Sequence, residues 1–381
     1  MEYRIFGKTN TKPSLLGFGC MRFATKKNEE GIDVIDEEET EKMLDYAYKH
    51  GVTYFDTAYP YHGGKSEVVL GKCMKKYDRS TFLVADKLPM WKLEKTEDVR
   101  TIFFEQLDRL QMKYVDFYLL HALNRDTFKK GKEIDALGEV IKLKEEGYIK
   151  HIGFSFHDDL NTFKEIVDFY DWEFCQIQYN YIDTDVQAGK AGIEYVKERG
   201  IPLVIMEPIK GGNLASYSSD VEKIFKDYNK DASIASWALR FVASEDNVCV
   251  ILSGMSKMEQ VIDNVGIFNN YKDLSEEERQ VIEEAKKAIK ARIKIACTGC
   301  RYCMPCPQGV KIPQNFSIWN NYSMYNNNSY KWQYNHLKDE EKASNCIKCG
   351  KCEKMCPQHL EIRKNLSLLN EELKGDNNEW Y

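Results

Sequence analysis

Eight of the twelve cysteines in this 381-residue chain fall between residues 297 and 356, in two closely and regularly spaced runs. The second run, Cys346-x2-Cys349-x2-Cys352-x3-Cys356, is followed by Pro357. Tight turns at that spacing point three sulfurs at one centre, and the proline turns the chain away after the fourth. The pattern suits a [4Fe–4S] cube, with three close thiolates capping one cube and the fourth reaching a neighbouring one. The first run, Cys297-x2-Cys300-x2-Cys303-x2-Cys306, is one residue shorter before its last cysteine and is likewise followed by Pro307. We read two clusters, one on Cys297, Cys300, Cys303 and Cys356, the other on Cys346, Cys349, Cys352 and Cys306. Paired Cys-x2-Cys steps also suit tetrahedral zinc, but the overlapping steps and trailing Cys-Pro in both runs favour iron–sulfur ligation. Cys20, Cys73, Cys175 and Cys249 read as small apolar core residues.

A second set of residues sits at or just beyond the ends of apolar, β-rich runs. Tyr54-Phe55-Asp56 ends in a carboxylate with Tyr61 five residues on, Phe82–Leu88 carries Lys87, and Tyr118-Leu119-Leu120 leads into His121. Brought to one point, these four could transfer a proton to a carbonyl. An ammonium beside a tyrosine stabilises the phenolate and lowers its pKa, a carboxylate holds the ammonium, and an imidazole donates to an oxygen gaining negative charge. Any one of them alone is more often part of a structural ion pair.

The elements that must position them alternate. Apolar runs at Leu15–Cys20, Tyr54–Ala58, Phe82–Leu88, Val115–His121, His151–Phe156, Phe174–Asn180, Pro202–Pro208 and Val248–Gly254 predict eight strands. Between them, Glu37–His50, Thr96–Leu110, Ile134–Glu146 and Ala188–Arg199 have apolar residues at helical spacing, and Gly51, Gly147 and Gly200 stand where helices stop. Eight βα repeats predict a closed (β/α)8 TIM barrel with its site at the C-terminal strand ends. A doubly wound sheet would need a Gly-x-Gly-x-x-Gly turn, and Gly17-Phe18-Gly19 lacks the third glycine. After a last helix over about 275–294 the composition shifts to Cys, Pro, Asn and aromatics, so the division is a barrel over 1–295 and a small, mainly helical domain over 296–381.

With 43% hydrophobic and 30% charged residues the chain has ordinary globular composition, and its net charge of −6 leaves no basic excess for nucleic acid. The N-terminus has no secretory signal pattern and no apolar run is long enough to span a bilayer, so a cytoplasmic enzyme with no membrane partner is expected.

Over residues 1 to about 290 the chain resembles an aldo-keto reductase. The motifs are Leu16-Gly17-Phe18-Gly19, Asp56-Thr57-Ala58 with Tyr61, Ser66-Glu67-Val68-Val69-Leu70-Gly71, Lys87, Leu119-Leu120-His121, Ile152-Gly153-Phe154-Ser155, Gln176-Ile177-Gln178-Tyr179-Asn180 and Asn264. The resemblance implies Asp56, Tyr61, Lys87 and His121 as the catalytic four, with Tyr61 as proton donor while hydride arrives from NADPH or NADH. It implies cofactor contacts from Met21, Ser155, Gln176, Met206, Ser253, Gly254, Met255, Gln260 and Asn264. Three positions depart from the family: Phe156 replaces an Asn, Met206 a Tyr that stacks on nicotinamide, and Gln260 an Arg typical of NADPH-preferring members. Lys257 is placed to compensate for the last. The whole chain resembles the branch of that family with a C-terminal dicluster ferredoxin-like domain.

The expected activity is carbonyl/alcohol interconversion on a small molecule, with Trp91, Tyr59 and Asn124 placed to line the pocket. Hydride moves two electrons and each cube one, so the clusters are assigned to exchange with a ferredoxin or flavoprotein, to sensing, or to structure. The competing reading is a redox-sensing or electron-transfer adaptor whose barrel binds nucleotide without turning over a carbonyl.

Overall fold

A computed structural model of the chain describes residues 1–9 and 11–375. The eight apolar runs form eight strands: Leu16–Gly19 (β1), Tyr54–Asp56 (β2), Leu83–Leu88 (β3), Val115–Leu123 (β4), Ile149–Phe156 (β5), Phe174–Gln178 (β6), Leu203–Met206 (β7) and Val248–Gly254 (β8). Each pairs in parallel with the next, and β8 closes on β1, where Gly19 lies opposite both Asp56 and Gly254. This is the expected (β/α)8 barrel. Helices cover its outer face, so every residue of β1, β2 and β6 is buried and the strands read as unbroken apolar runs. Inside, near the N-terminal ends of the strands, Phe6 is fully buried with its ring 4.9 Å from that of Phe117 and 5.5 Å from that of Phe174. The barrel is a filled core at this end, which leaves the opposite mouth for chemistry.

Crossover helices form within two or three residues of their expected bounds, at Glu37–Lys49 (α1), Glu97–Leu110, Ala136–Glu145 and Gly189–Lys197. The Asp36 carboxylate caps α1 by accepting the Glu39 N–H at 3.3 Å, which satisfies one orphan donor of its first turn. An additional helix, Arg125–Glu133, opens on a capping box between Asn124 and Thr127. Asn124, expected to line the pocket, is the cap, accepting the Asp126 and Thr127 N–H groups. Helix Ser66–Met74 (α2) meets the C-terminal end of Glu97–Leu110 (α3) at Gly71, where a Cβ would strike the main chain of Leu110. That close approach brings side chains of α2 and α3 together behind β3.

The chain divides into two compact units, Met1–Gly211 with Ala235–Ser275, and Gly212–Ile234 with Glu276 onward. The second starts earlier than the compositional change near Ala296, because helix Ser219–Tyr228 packs on helix Glu276–Lys290 and Arg292 pairs with Asp220 at 2.5 Å. Its other main helices are Ile312–Tyr325, Ser329–Asn335 and Ile362–Leu373. The Asn- and aromatic-rich stretch joins them: Trp319 donates to Glu372 at 2.9 Å, Tyr334 to Asn370 at 2.6 Å, and Asn335 to the Leu373 carbonyl at 2.9 Å. Asn315, fully buried, donates to the Glu341 carbonyl and accepts the Ala343 N–H. What reads as compositional bias is a set of polar cross-links between short helices. Among the described residues no helix is long and apolar enough to cross a membrane.

Candidate active site

At the C-terminal mouth of the barrel the structure brings Asp56, Tyr61, Lys87 and His121 together. The Lys87 ammonium, fully buried, donates to Asp56 Oδ1 and to the Thr57 carbonyl, both at 2.6 Å, and lies 3.5 Å from the Tyr61 hydroxyl. The His121 ring stands edge-on to Tyr61 with centroids 6.1 Å apart, and the Trp91 ring lies 5.1 Å from it. Trp91, 45% exposed, is thus at the mouth as expected. Tyr59 turns away, with its hydroxyl on Glu105 and its ring 4.2 Å from the Arg109 guanidinium.

Two local devices aim these side chains. Tyr61 opens a short turn, Tyr61–Gly64, in which His62, Gly63 and Gly64 all have positive φ. His62 fastens that turn to the loop after β1: its Nε2 accepts the Phe23 N–H at 3.1 Å and its ring stacks on Phe23. His121 lies on β4 beside a bulge, where the pairing with β5 slips between Leu120 and Leu123 and Ala122 takes a φ of 52°. A bulge re-aims one side chain, and Ser155 on β5 secures this one by accepting the Ala122 N–H at 2.8 Å.

The electrostatics differ in one respect from the sequence expectation. Burial opposes the charge on Lys87, but Asp56 and then Tyr61 outweigh it and hold the ammonium above the usual lysine value. Burial pushes the Asp56 carboxyl up and Lys87 pulls it back; at 2.6 Å, with side chains 0% and 3% exposed, the two form a charged pair. For Tyr61, burial outweighs the pull of Lys87 and raises the phenol above its ordinary value, where lowering was expected. The resting residue is therefore a protonated tyrosine. Burial, then the Lys87 charge, drives His121 well below the usual histidine value, so it is a neutral imidazole at pH 7. Its Nδ1 and Asp56 Oδ2 are buried without a partner.

On the side assigned to a nicotinamide, Gln176 on β6 donates to the Met206 sulfur at 3.5 Å while its Oε1 is buried and unpartnered. A buried amide oxygen without a donor fits a carboxamide N–H. Phe156, at the departing position, is fully buried in the core. Ser253 accepts from Asn264 Nδ2 at 3.0 Å, so Asn264 is turned inward and 5% exposed. Gln260 accepts the Ser256 N–H at 2.8 Å and so shapes the loop after β8. The Met255 side chain is 1% exposed and lies in the core, leaving only its main chain on that loop with Gly254; Met21 is 58% exposed. Sequence reading missed the side chains behind Lys87 at Asp86, Gln106 and Arg109, which carry no motif and meet only through tertiary packing.

The cysteines line two cavities in the second unit. One, of about 250 Å³, is lined by Cys303, Cys306, Cys346, Cys349 and Cys352; the other by Cys297, Cys300, Cys303 and Cys356. Each run bends through two positive-φ residues, Gly299 and Arg301 in the first, Lys348 and Gly350 in the second. Left-handed residues on either side of the middle cysteine let three thiols face one side, though the glycines occupy different places in the two runs. Gly309 and His359, three residues after Cys306 and Cys356, repeat the same turn before the helices that begin at Ile312 and Ile362. Among the described residues no three His, Cys, Asp or Glu side chains converge tightly enough to hold a single ion. Four or more thiols around each cavity suit a polynuclear cluster. Cys20, Cys73, Cys175 and Cys249 are buried, as expected.

Fold and site define an oxidoreductase built on a (β/α)8 barrel. The chain belongs to the aldo/keto reductase family, whose model matches residues 15–287, and a 4Fe-4S dicluster domain matches residues 296–360. Among curated proteins it is 27% identical over 295 residues to a probable aldo-keto reductase 1 of Glycine max, covering 68% of this chain and 82% of that one. It is 26% identical over 306 residues to L-galactose dehydrogenase of Arabidopsis thaliana, covering 74% and 93%. Among solved structures, an aldo-keto reductase of Bacillus halodurans in its holo form superposes with a TM-score of 0.62 at 25% identity, covering 75% of this chain and 96% of that one. A thermostable aldo-keto reductase in complex with the inhibitor epalrestat gives 0.63 at 26%, covering 75% and 100%.

Proposed function

We propose that the chain interconverts a carbonyl and an alcohol on a small molecule using NADPH or NADH, with Tyr61 exchanging the proton. We also propose that residues 296–381 form a domain carrying two [4Fe–4S] clusters, ligated as the two cavities suggest, that trade single electrons with a ferredoxin or flavoprotein. The observation that carries the first reading is the buried ammonium of Lys87, fixed by Asp56 and the Thr57 carbonyl and aimed at the Tyr61 hydroxyl.

When bound, a nicotinamide supplies hydride to the carbonyl carbon. Tyr61 then delivers its proton to the carbonyl oxygen, and Lys87 stabilises the phenolate left behind, so its charge acts as the proton leaves and not in the resting state. Neutral His121 donates to the same oxygen as negative charge builds there. Gln176 Oε1 accepts from the carboxamide, with Ser155 and Met206 beside it, Met21 at the mouth, and Ser253, Gly254, Met255, Gln260 and Asn264 setting the loop for the rest of the dinucleotide. Relatives with carbonyl- or sugar-directed names, among them the NADH-specific methylglyoxal reductase of Escherichia coli, support this class of substrate and cofactor. A hydride step consumes electrons in pairs, which leaves one-electron clusters to serve a protein partner.

The test is NAD(P)H oxidation by anaerobically purified protein with a panel of aldehydes and ketones. Tyr61→Phe should lower the rate by about 10²-fold or more; equal rates for variant and wild type refute the reading. Metal analysis should find roughly eight irons per chain, and zinc in their place would overturn the cluster assignment.

A further inference from the structure

The surroundings of Lys87 on the side away from Tyr61 are not explained by proton transfer. β2 ends at Asp56, opposite Ala85, so beyond that point β3 has no strand partner on this side. Side chains take the strand's place. The Lys87 N–H donates to Asp86 Oδ1 at 2.8 Å, and the Lys87 carbonyl accepts from Gln106 Nε2 at 3.1 Å. The same Gln106 amide nitrogen donates to Glu67 Oε1 at 3.0 Å, while Gln106 Oε1 accepts from the Tyr118 hydroxyl at 2.6 Å. Glu67 Oε2 accepts from Arg109 at 2.8 Å. Glu67, Asp86, Gln106 and Tyr118 are all at most 1% exposed.

Glu67 and Asp86 thus bring two fully buried carboxyl groups behind Lys87, joined through the Gln106 amide and the Lys87 main chain. Asp86 Oδ2 is buried with no donor facing it, which is costly for a carboxylate oxygen and not for a protonated carboxyl. Glu67 has the Arg109 guanidinium, so it is the ionised member. The nearest cation to Asp86, Lys87, is already engaged by Asp56, the Thr57 carbonyl and Tyr61. We propose that Asp86 is a positioning residue, held as a neutral carboxylic acid that donates to the Glu67 carboxylate, and that the pair with Gln106 clamps the main chain of Lys87. The charged and titratable groups around it agree: burial, then the Glu67 charge, push the Asp86 carboxyl well above the usual carboxylate range against the pull of Lys87. Arg109 from α3 acts on Glu67, Tyr118 on β4 feels both acids, and the buried Cys20 thiol feels Asp86 from the loop after β1. With Asp86 neutral, Asp56 is the anion that holds the Lys87 ammonium.

This inference rests on the proposed reductase reading only for its kinetic arm. In the cluster-loaded full chain, Asp86→Leu, which removes both hydrogen bonds, should lower kcat by roughly 10- to 100-fold with little change in KM for nicotinamide. Asp86→Asn keeps an acceptor for Lys87 and a donor for Glu67, and should restore most of that loss. Failure of Asn to outperform Leu overturns the positioning role. The protonation claim needs no turnover: the infrared difference spectrum of wild type minus Asp86→Asn at neutral pH should contain the carbonyl stretch of a protonated carboxylic acid. Its absence overturns the neutral acid even if no carbonyl substrate is ever found and even if Asp86→Leu does not fold.

Discussion

Asp56→Asn isolates the charge that balances a fully buried lysine. In the wild type, Lys87 Nζ and Asp56 Oδ1 are 2.6 Å apart with side chains 0% and 3% exposed, and the lysine is held above its usual value. At an effective dielectric of about 20 that pair is worth roughly 6 kcal/mol before desolvation, and removing one member of a buried pair typically costs about 3–5 kcal/mol. An unpaired buried lysine titrates about 3 units or more below its free value, which at about 1.4 kcal/mol per unit is the same 4 kcal/mol or so. The sign follows from linkage. In the wild type the raised folded pKa means that the Lys87 contribution is fully present below about pH 10.4 and is lost only as pH rises through the folded value. In the variant the unfolded chain binds the proton more tightly, so stability falls as pH drops from about 10 towards neutrality and recovers as pH rises. Urea unfolding between pH 7 and 9 should therefore show a rising stability for Asp56→Asn, with a slope of up to about 1.4 kcal/mol per pH unit relative to wild type. The rate of carbonyl reduction should fall with it, because Tyr61 loses its charged neighbour. Parallel stability profiles for the two proteins would falsify the claim that Lys87 is charged and unsolvated.

His62→Phe keeps the stack on Phe23 but leaves the Phe23 N–H without its acceptor; a loss of about 1–3 kcal/mol in stability is expected, with a drop in kcat and little change in nicotinamide affinity as Tyr61 loosens. Burial lowers the His62 pKa from its usual 6.5, so wild-type stability should decline as pH falls below that value while the curve of the His62→Phe variant, lacking this group, stays flatter. The cysteine cavities predict selective loss: Cys356→Ser should abolish the cluster on Cys297, Cys300 and Cys303, and Cys306→Ser the one on Cys346, Cys349 and Cys352, each variant retaining roughly four irons. Electron paramagnetic resonance of the reduced variants distinguishes the two, and loss of the same signal from both would rule out the crossed ligation.

The candidate site residues were legible in the sequence because their signals are local. Asp56, Lys87 and His121 stand on or at the ends of apolar runs, Tyr61 five residues beyond one, and eight cysteines at short intervals need no long-range contact to be noticed. The shortened spacing before Cys306 leaves the crossing of the two runs to the test by single cysteine variants, whereas the turns themselves are formed at Arg301 and Lys348 as well as at glycines. Other residues read toward the pocket or cofactor have a use in the fold that the sequence did not show. Asn124 caps a helix, the Met255 side chain fills the core, and Tyr59 packs on Arg109.

Periodicity, strand count and ligand spacing are properties of neighbours in the chain, and from them the sequence alone determined the (β/α)8 barrel, its four polar strand-end residues and the two cysteine runs. Protonation states belong to the folded molecule. That Tyr61 rests as a phenol, that His121 is neutral, and that burial and the Glu67 charge hold the Asp86 carboxyl well above its usual range all depend on how much water is excluded and which charges lie nearby. Those quantities are set by α2 closing on α3 at Gly71 and by β2 ending short of β3, contacts between residues far apart in sequence.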